Sequence, residues 1–567
     1  MPEPRQKSRW IDAAILAVGL AAVYGILQIA HTWAGPFRPA VVISRSPAAL
    51  PFYAAYSLFR IVLAYLLSLV FALGYGYLAA YSKRAEKLLI PLLDILQSIP
   101  VLSFLPGVML AMVALFPGRQ IGVELGSILL IFTGQVWNIA FSFYSSIKSI
   151  PRELREATNI YRFSRWQRFI QLDLPYGAQA LVWNSIMAVA GGWFFLMACE
   201  MFQLGKRDFR LPGLGSYLQT AASAGDTRAI LWGVVAMVGV VVLMDQLAWR
   251  PVLAWVDKFR FENIESGDIP RSPFLTLWRR SRPGTYFRRR VFRPMREQSV
   301  RYFVAAPRDE PTVPRRRWWL LLAGGALGIA LALAVGYGLF GTVVTLLALP
   351  GHKAGDLWIG AGATFLRVNA ALLLGLLWTV PAGVAIGLRP RLARILQPIA
   401  QIGASVPATA LFPVLLLVLI RMGGGMGLGS IFLILLGTQW YILFNVIAGA
   451  SALPGDLKEV SQVFRFRSLD QWRLFVLPGI FPSLVTGLVT ASGGAWNASV
   501  VAEYFNLNGK TLSTTGLGAT IAQATDTGDF ALLLAATIVM SMIVVAMHRL
   551  VWHRLYRMAH TKYKLEA

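Results

Sequence analysis

Apolar residues recur along the 567-residue chain in about twelve long runs, separated by polar or charged segments. Each run covers about 20 to 30 residues, which is enough for an α-helix to cross a hydrocarbon layer roughly 30 Å thick. The runs are too long and too evenly apolar for barrel strands, and lipid offers the backbone no partners, so helices are predicted. They lie near 11–33, 52–81, 90–116, 121–147, 175–203, 228–256, 318–348, 357–388, 392–421, 427–450, 478–505 and 529–553.

The composition agrees with an all-α polytopic membrane protein. Hydrophobic residues make up 56% of the chain and charged residues only 14%, whereas soluble domains carry about 25% charge. The first run follows MPEPRQKSR and continues without a convincing cleavage site, which predicts an uncleaved helix and not a signal peptide. The single cysteine, Cys199, excludes an intrachain disulfide and leaves the redox compartment open.

The net charge of +26 is concentrated in particular segments. If the amino terminus is cytoplasmic, the basic segments at 82–87, 155–168, 257–317 and 388–394 all lie on the cytoplasmic side, as do both termini. This asymmetry follows the positive-inside rule, although a few arginines fall in predicted outer loops.

The second half of the chain repeats the first. An offset of 303 residues aligns Trp193 with Trp496 and Glu200 with Glu503, together with several glycines and prolines. Upstream of the loop near 117–125 the offset becomes 307 and aligns Arg60 with Arg367. Shared apolar composition would not keep such residues in register, so a tandem duplication is predicted. Six runs per half, an even number, predict two parallel six-helix repeats.

The repeat divides the chain into a first half at 1–256, a basic linker at 257–317 and a second half at 318–567. The linker holds sixteen Lys/Arg against seven Asp/Glu, with aromatic residues between the arginines. Such a pattern can bind nucleic acid. Beside a membrane helix, contact with anionic lipid headgroups is favoured over nucleic acid, and docking on a cytoplasmic partner is a third interpretation.

Each half contains one amphipathic cytoplasmic segment, at about 153–172 and 456–475. In the first, Leu154, Ala157, Ile160 and Tyr161 share one helical face, and the second repeats this spacing. The apolar face is expected to pack on the protein's own helix ends, which leaves the charged face for a partner. A helix resting on lipid is the alternative.

These segments resemble the EAA signature of permease subunits of bacterial ABC importers. Glu156-Ala157-Thr158 leads to Leu172-Asp173-Leu174-Pro175, and Glu459-Val460-Ser461 leads to Phe475-Val476-Leu477-Pro478. Both depart from the family's central glycine, which is replaced by Arg162 and Arg465. Further motifs, among them GGWFFLMACEMF and PGLGSY in the first half and GGAWNASVVAEYF in the second, are similar to the nitrate/sulfonate/taurine branch.

The resemblance implies a type I importer fold in which one chain supplies both membrane halves. Each amphipathic segment would be a coupling helix on a dimeric cytoplasmic ABC ATPase, which would bind the ATP and Mg; no cofactor is expected in this chain. The implied coupling residues are Glu156, Ala157, Arg162, Phe163, Glu459, Val460, Arg465 and Phe466. The implied setting is the bacterial inner membrane, with a periplasmic or lipid-anchored solute-binding protein and a small anionic solute such as nitrate, a sulfonate or taurine.

Several polar residues within the spans are candidates for the translocation pathway or gate. Glu200 and Glu503 are ionisable groups in apolar surroundings, which favours either a gate or a structural salt bridge. Trp193, Trp496 and Asn497 are candidates for lining the pathway or for interfacial anchoring. Ser98 and Ser405 accompany prolines that interrupt the third span of each half, and ordinary kinks are favoured there over broken helices. Close packing is the favoured role of the glycines at 191–192 and 493–494.

No metal site or catalytic cluster is predicted, because the five histidines lack ligand spacing and no nucleophile motif occurs. Gly509-Lys510-Thr511 resembles the end of a phosphate-binding loop, but Tyr504 stands where that loop requires glycine. A twelve-helix secondary carrier that works without ATP is the alternative function.

Overall fold

The computed structural model describes residues 42–256 except 99, 205 and 206, scattered residues from 286 to 347, and 349–562 except 424, 452, 454–467, 508 and 509. Within this part, eight helical segments are long and apolar enough to cross a membrane. The predicted run at 11–33 and most of both the run at 318–348 and the linker lie outside the described residues.

The described part of the first half alternates long helices with short connecting elements. Its helices are α1 (Leu50–Tyr81), α2 (Lys83–Ser98), α3 (Leu105–Leu115), α4 (Gln120–Lys148), α5 (Arg152–Ile160), α6 (Arg165–Arg168), α7 (Leu174–Glu200), α8 (Leu214–Ser223), α9 (Thr227–Met244) and α10 (Arg250–Val256). A π-helical segment at Phe169–Asp173 joins α6 to α7, and another at Asp245–Trp249 joins α9 to α10. An antiparallel hairpin of β1 (Gln203–Leu204) and β2 (Arg207–Asp208) follows α7.

The second half repeats this order. Its helices are α11 (Gly351–Leu388), α12 (Pro390–Ser405), α13 (Ala408–Arg421), α14 (Met426–Ser451), α15 (Ser468–Asp470), α16 (Leu477–Ala502), α17 (Leu517–Thr527), α18 (Phe530–Met547) and α19 (His553–Lys562). A hairpin of β3 (Tyr504–Leu507) and β4 (Lys510–Ser513) pairs Tyr504 with Ser513. The repeated order agrees with the predicted tandem duplication.

The prediction of a continuous third span in each half was wrong. In the first half, Pro100 and a 3-10 turn at Val101–Phe104 separate α2 from α3. In the second half, Pro407 lies between α12 and α13. Proline lacks the backbone donor and disfavours helical geometry in the preceding residue, so each break lies where the helix cannot continue. The helix α3 has 11 residues and is too short to cross the bilayer alone. Pro100 and Pro407 therefore mark broken helices and not the ordinary kinks that were favoured, whereas Pro106 and Pro413 lie within α3 and α13.

The long helices α1, α4, α7, α11, α14 and α16 pack around an interior that includes buried side chains of both halves. Direct hydrogen bonds join the two halves at the first break. The backbone N–H of Leu102 donates to Asn497 Oδ1 over 3.3 Å, and Thr537 Oγ1 donates to the carbonyl of Ser103 over 3.2 Å. This interface places Asn497, a candidate pathway residue, against the first break.

Candidate coupling surface and translocation pathway

The first amphipathic segment is not the single helix predicted for 153–172. The helix α5 ends at Ile160, a turn follows at 161–164, and Arg165 begins a helix that continues through the π-helical segment into α7. Ser164 caps this second helix: its backbone N–H donates to Gln167 Oε1 over 2.7 Å, and its Oγ accepts from the Gln167 N–H over 3.2 Å. Such a capping box fixes where a helix starts, so α5 stands apart from the span that follows.

The turn after α5 contains a residue in the left-handed region of backbone dihedral space. Arg162 has φ 51°, and no other non-glycine residue in the described part of the chain has positive φ. Glycine adopts this region without steric cost, which gives a physical reason for the central glycine in the family that the segment resembles. Hydrogen bonds hold the turn: Phe163 N–H donates to the Thr158 carbonyl over 2.9 Å, and Arg168 donates to Asn159 Oδ1 over 2.6 Å.

The apolar face of α5 packs on the protein only in part. Leu154 and Ala157 are half-buried, but Ile160 is 78% exposed and Tyr161 70% exposed. Trp166 of α6 is also exposed, at 55%, and the side chain of Glu156 on α5 is exposed as well. The expectation that the whole apolar face covers the protein's own helix ends was therefore wrong. A charged and aromatic surface remains free for contact.

The coupling residues divide between the described and undescribed parts of the chain. Glu156 and Arg162 are exposed, and Ala157 and Phe163 are half-buried at the base of the turn. The second set, Glu459, Val460, Arg465 and Phe466, lies outside the described residues.

Glu200 forms part of a buried ionic cluster at the end of α7. Arg60 of α1 lies between two carboxylates, with Nε 2.6 Å from Glu124 Oε2 and an Nη 2.8 Å from Glu200 Oε1. All three side chains are at most 2% exposed. Ser57 Oγ donates to Glu200 over 2.7 Å, and the backbone N–H of Gly215 donates over 2.8 Å. Hydrogen bonds and ion pairs of this kind offset the free-energy cost of removing a charged side chain from water.

Glu503 repeats this arrangement with one difference. Arg367 donates to Glu503 over 3.0 Å, Thr364 replaces Ser57, and the Gly518 N–H replaces that of Gly215 at 2.9 Å. The position equivalent to Glu124 is Gly427, so Arg367 has one carboxylate partner and instead donates to Thr514 Oγ1 over 2.8 Å. Both glutamates thus occupy ion pairs, which join the end of α7 to α1 and the end of α16 to α11.

The glycines before α8 and α17 allow the backbone to approach these carboxylates. A Cβ on Gly213 would lie 2.2 Å from the Glu200 carboxyl group, and one on Gly516 would lie 2.1 Å from that of Glu503. No side chain fits at such distances, so each loop is shaped around its glutamate.

A further ionic contact ties α2 to α4 in the first half. Lys148 Nζ lies 2.8 Å from Glu86, and Tyr144 donates to the same carboxylate over 2.6 Å. These two hydrogen bonds hold the pKa of Glu86 below its ordinary value. The equivalent positions in the second half are Ala393, Ile447 and Ser451, which cannot form this contact.

The remaining pathway candidates occupy different places. Trp193 and Trp496 are fully buried, at 0% and 1% exposure, and line neither of the two cavities between the halves. Asn497 lines both cavities. Ser98 and Ser405 are the last residues of α2 and α12, directly before the two breaks.

The two cavities, of about 90 and 110 Å³, are each lined by residues of both halves. One combines α12, α13 and α14 with α7; the other combines α2 and α4 with α16 and α18. Phe195, Tyr441, Gly494 and Asn497 belong to both linings and separate the cavities. The lining is largely aromatic, aliphatic and neutral polar, which suits passage of a small solute between the halves.

Reasoning from the sequence missed the partners of the two glutamates. Arg60 and Arg367 already stood in register in the repeat, and each is a charge of opposite sign inside an apolar run. An intramembrane charge usually has a partner, so two matched arginines and two matched glutamates were a signal for paired ions. Glu124 and the lining pair Phe195 and Tyr441 have a different residue at the equivalent position of the other half, and no sequence signal singled them out.

Comparison with known proteins agrees with this architecture. Residues 72–248 and 371–555 each match the family described as binding-protein-dependent transport system inner membrane component. The taurine transport system permease protein TauC of Escherichia coli (strain K12) is 30% identical over 212 residues, 36% of this chain and 68% of TauC. The nitrate import permease protein NrtB of Leptolyngbya laminosa is 27% identical over 189 residues, 33% of this chain and 64% of NrtB.

A third relative is the putative aliphatic sulfonates transport permease protein SsuC of Bacillus subtilis (strain 168), 25% identical over 206 residues, 36% of this chain and 70% of SsuC. These matches favour a transport permease, and none favours a carrier that works without ATP. Two copies of the family's domain, in the same order and with the same buried ion pair, lie in one polypeptide. The chain is a membrane-spanning permease that belongs to the binding-protein-dependent transport system inner membrane component family.

Proposed function

We propose that this chain alone forms both membrane halves of an ATP-driven importer in the bacterial inner membrane. The observation that carries the proposal is that two segments of one chain match the family domain and contact each other at the first break. A dimeric cytoplasmic ATPase would bind ATP and Mg and drive the two halves. A periplasmic or lipid-anchored binding protein would deliver the solute, and both termini would be cytoplasmic.

The ATPase would contact α5 and its counterpart near 456–467. Support comes from the exposed surface of Glu156, Ile160, Tyr161 and Trp166, which is aromatic and apolar in part and lies on a short helix held by hydrogen bonds. Exposed aromatic residues of this kind are typical anchors of protein interfaces. Glu156 and Glu459 would be the principal polar contacts, with Arg162 and Arg465 beside them.

A small anion is the solute class to which the relatives' names point, since they include taurine, nitrate, bicarbonate and aliphatic sulfonates. Glu200 and Glu503 would hold the outer ends of the pathway helices in place, and Asn497 would face the solute. Ser98 and Ser405 would lie at the moving breaks, and Trp193 and Trp496 would support the pathway from behind.

The proposal is tested by purifying the chain with its candidate ATPase in lipid nanodiscs and measuring ATP hydrolysis and complex stability. Glu156→Ala together with Glu459→Ala is expected to weaken the complex by about tenfold or more, because interface energy concentrates in a few contacts. Asp356→Ala removes an exposed carboxylate on the predicted outer side and should leave assembly unchanged. Unchanged assembly in the double variant, or equal loss in the control, contradicts the proposed coupling surface.

A further inference from the structure

A buried carboxylate connects the coupling segment of the first half to its membrane helices. We call α5, α6 and the turn between them the coupling segment. Asp173 ends the π-helical segment that joins α6 to α7, and it is 0% exposed. The hydroxyl of Tyr81, the last residue of α1, donates to Asp173 Oδ1 over 2.8 Å. This hydrogen bond joins the end of α1 to the chain between the coupling segment and α7.

Two arginines of the coupling segment interact with the same carboxylate. Arg155 on α5 and Arg168 on α6 both attract Asp173 electrostatically. Arg155 also donates to the carbonyl of Ile147 in α4, and Arg168 donates to Asn159 Oδ1 on α5 over 2.6 Å. Opposite charges in a partly buried site attract each other more strongly than in water. Asp173 therefore stabilises the position of both helices of the coupling segment.

A row of aromatic side chains connects the coupling segment to α1 and α4. Trp166, which is 55% exposed, stacks on Phe169 with ring centroids 5.7 Å apart. Phe169 makes edge contacts with Tyr77 of α1 and Phe143 of α4, with ring centroids 5.5 and 6.2 Å apart. The ring of Tyr77 then lies 4.7 Å from that of Tyr81. Aromatic pairs of these geometries add to the free energy of burial, so Trp166 and Tyr81 belong to one packed cluster.

The tandem repeat contains a second version of this site. The positions equivalent to Tyr81 and Asp173 are Leu388 and Val476, whose side chains cannot form hydrogen bonds. Val476 is 2% exposed and is therefore about as buried as Asp173. Replacing one member of a buried polar pair leaves the other without its partner, whereas replacing both can be nearly neutral. Both members differ together between the halves, which indicates that Tyr81 and Asp173 act as a pair.

The polar pair resists relative movement of its two helices in a specific way. A hydrogen bond to a carboxylate is short and depends on angle as well as distance. Contact between apolar side chains, in contrast, is not directional. The bond between Tyr81 and Asp173 therefore opposes sliding and rotation of α1 against the start of α7. A displacement of the coupling segment would be passed to α1 through this bond.

We propose that Asp173 is a positioning residue for coupling, which through Tyr81 fixes the coupling segment to α1, so that α1 follows when the ATPase moves α5. This inference deepens the proposed function and rests on it, since the ATPase is proposed to contact α5. Asp173 is buried, so it acts through the exposed residues of α5 and α6 and not by contact with the ATPase. Because Leu388 and Val476 cannot form the bond, this connection belongs to the first half.

The experiment measures amide hydrogen exchange of the full chain in lipid nanodiscs, alone and with its candidate ATPase and a non-hydrolysable ATP analogue. In the unsubstituted chain, the ATPase is expected to change exchange at 152–168 and also at 74–81, the end of α1. In Tyr81→Phe the change at 152–168 should remain, while that at 74–81 falls by about threefold or more, because only the hydroxyl that binds Asp173 is removed. Without the ATPase, Tyr81→Phe should exchange about tenfold faster across 152–168, since hydrogen bonds to charged groups are strong.

Tyr144→Phe is the matched control for Tyr81→Phe. The Tyr144 hydroxyl also donates to a carboxylate, that of Glu86, over 2.6 Å, but this bond ties α4 to α2 and not to the coupling segment. Both exchange measurements on Tyr144→Phe should match those on the unsubstituted chain within about twofold, because contacts at separate sites contribute independently.

A second variant tests the pair itself. Tyr81→Leu alone leaves the buried Asp173 carboxylate without its hydroxyl donor. Adding Asp173→Val installs the residues of the second half and should slow exchange across 152–168 by about threefold or more relative to Tyr81→Leu, because the buried carboxylate is then gone. Far-UV circular dichroism establishes that each variant is folded.

An equal loss at 74–81 in Tyr81→Phe and Tyr144→Phe overturns the positioning role, as does faster exchange when Asp173→Val is added to Tyr81→Leu. If the ATPase leaves 152–168 of the unsubstituted chain unchanged, the proposed function fails and the positioning role falls with it. If the ATPase changes 152–168 but Tyr81→Phe retains the full change at 74–81, or the unsubstituted chain shows none there, the positioning role fails alone.

Discussion

Arg60 and Arg367 are equivalent residues with unequal surroundings. Arg60 is fully buried between Glu124 and Glu200, whereas Arg367 is 14% exposed and pairs with Glu503 alone. Removing one partner from a buried ion pair costs about 3–5 kcal/mol, since the remaining charge stays buried without compensation. The loss should be greater where two carboxylates are stranded.

We therefore expect Arg60→Met to lower the thermal unfolding midpoint more than Arg367→Met, measured in the same nanodiscs at one scan rate. Lys353→Met is the control, because its pair with Asp529 is partly exposed and such pairs contribute about 1 kcal/mol or less. Equal shifts of the unfolding midpoint in the two arginine variants would contradict a stabilising ion pair between Arg60 and Glu124.

Arg162 lies in the left-handed region, where residues other than glycine are strained by about 1–2 kcal/mol. Arg162→Gly is expected to increase amide-exchange protection across 152–168, and Arg162→Val should reduce it. Arg165→Gly is the matched control and should have the opposite effect to Arg162→Gly. Arg165 begins a helix, where glycine costs up to about 1 kcal/mol. Lower protection in Arg162→Gly would contradict the role assigned to the turn.

At the scale of elements, the loops before α8 and α17 are shaped by the glutamates at the ends of α7 and α16. Gly213→Ala and Gly516→Ala would each place a methyl group within 2.2 Å of carboxylate atoms. Both variants should lose several degrees of thermal stability, because the ion pair must move or break. The control is Gly239→Ala in α9, where nothing lies within 4 Å of the added Cβ and alanine favours the helix. Stability unchanged in both loop variants would contradict the observed packing.

The broken helices show why elements are harder to predict than residues in a membrane protein. Hydropathy reports only whether a run is apolar, so the segments 90–116 and 392–421 looked like ordinary spans. Whether a proline bends or ends a helix depends on the partners that its neighbours find. At Leu102 that partner is Asn497, 395 residues away, and no local pattern predicts such a contact.

At the scale of the whole molecule, the sequence predicted the duplication, the parallel halves and the all-α membrane fold, because each depends on register and hydropathy alone. The ion pairs were predictable in principle from matched charges in apolar runs. The form of the coupling segment was not, since its division at 161–164 depends on the Ser164 cap and on Arg162 adopting a glycine conformation.

The set of residues that line the two cavities could not be predicted from the sequence either. It requires knowing which residues of one half face the other, and the repeat alignment gives equivalence without giving contact. Tyr441 and Phe194 are the equivalents of Asn138 and Asn497 in the repeat, and only the structure shows that all four line these cavities.

The hydrogen bonds at the first break have a consequence for movement. The boundary that contains Leu102, Ser103, Asn497 and Thr537 is joined by two hydrogen bonds. At the equivalent positions of the repeat, Phe194 and Val234 stand in place of Asn497 and Thr537, and their side chains cannot form such bonds. Because separation of the halves at the first boundary would break these two hydrogen bonds, we expect the boundary that contains Phe194 and Val234 to separate first.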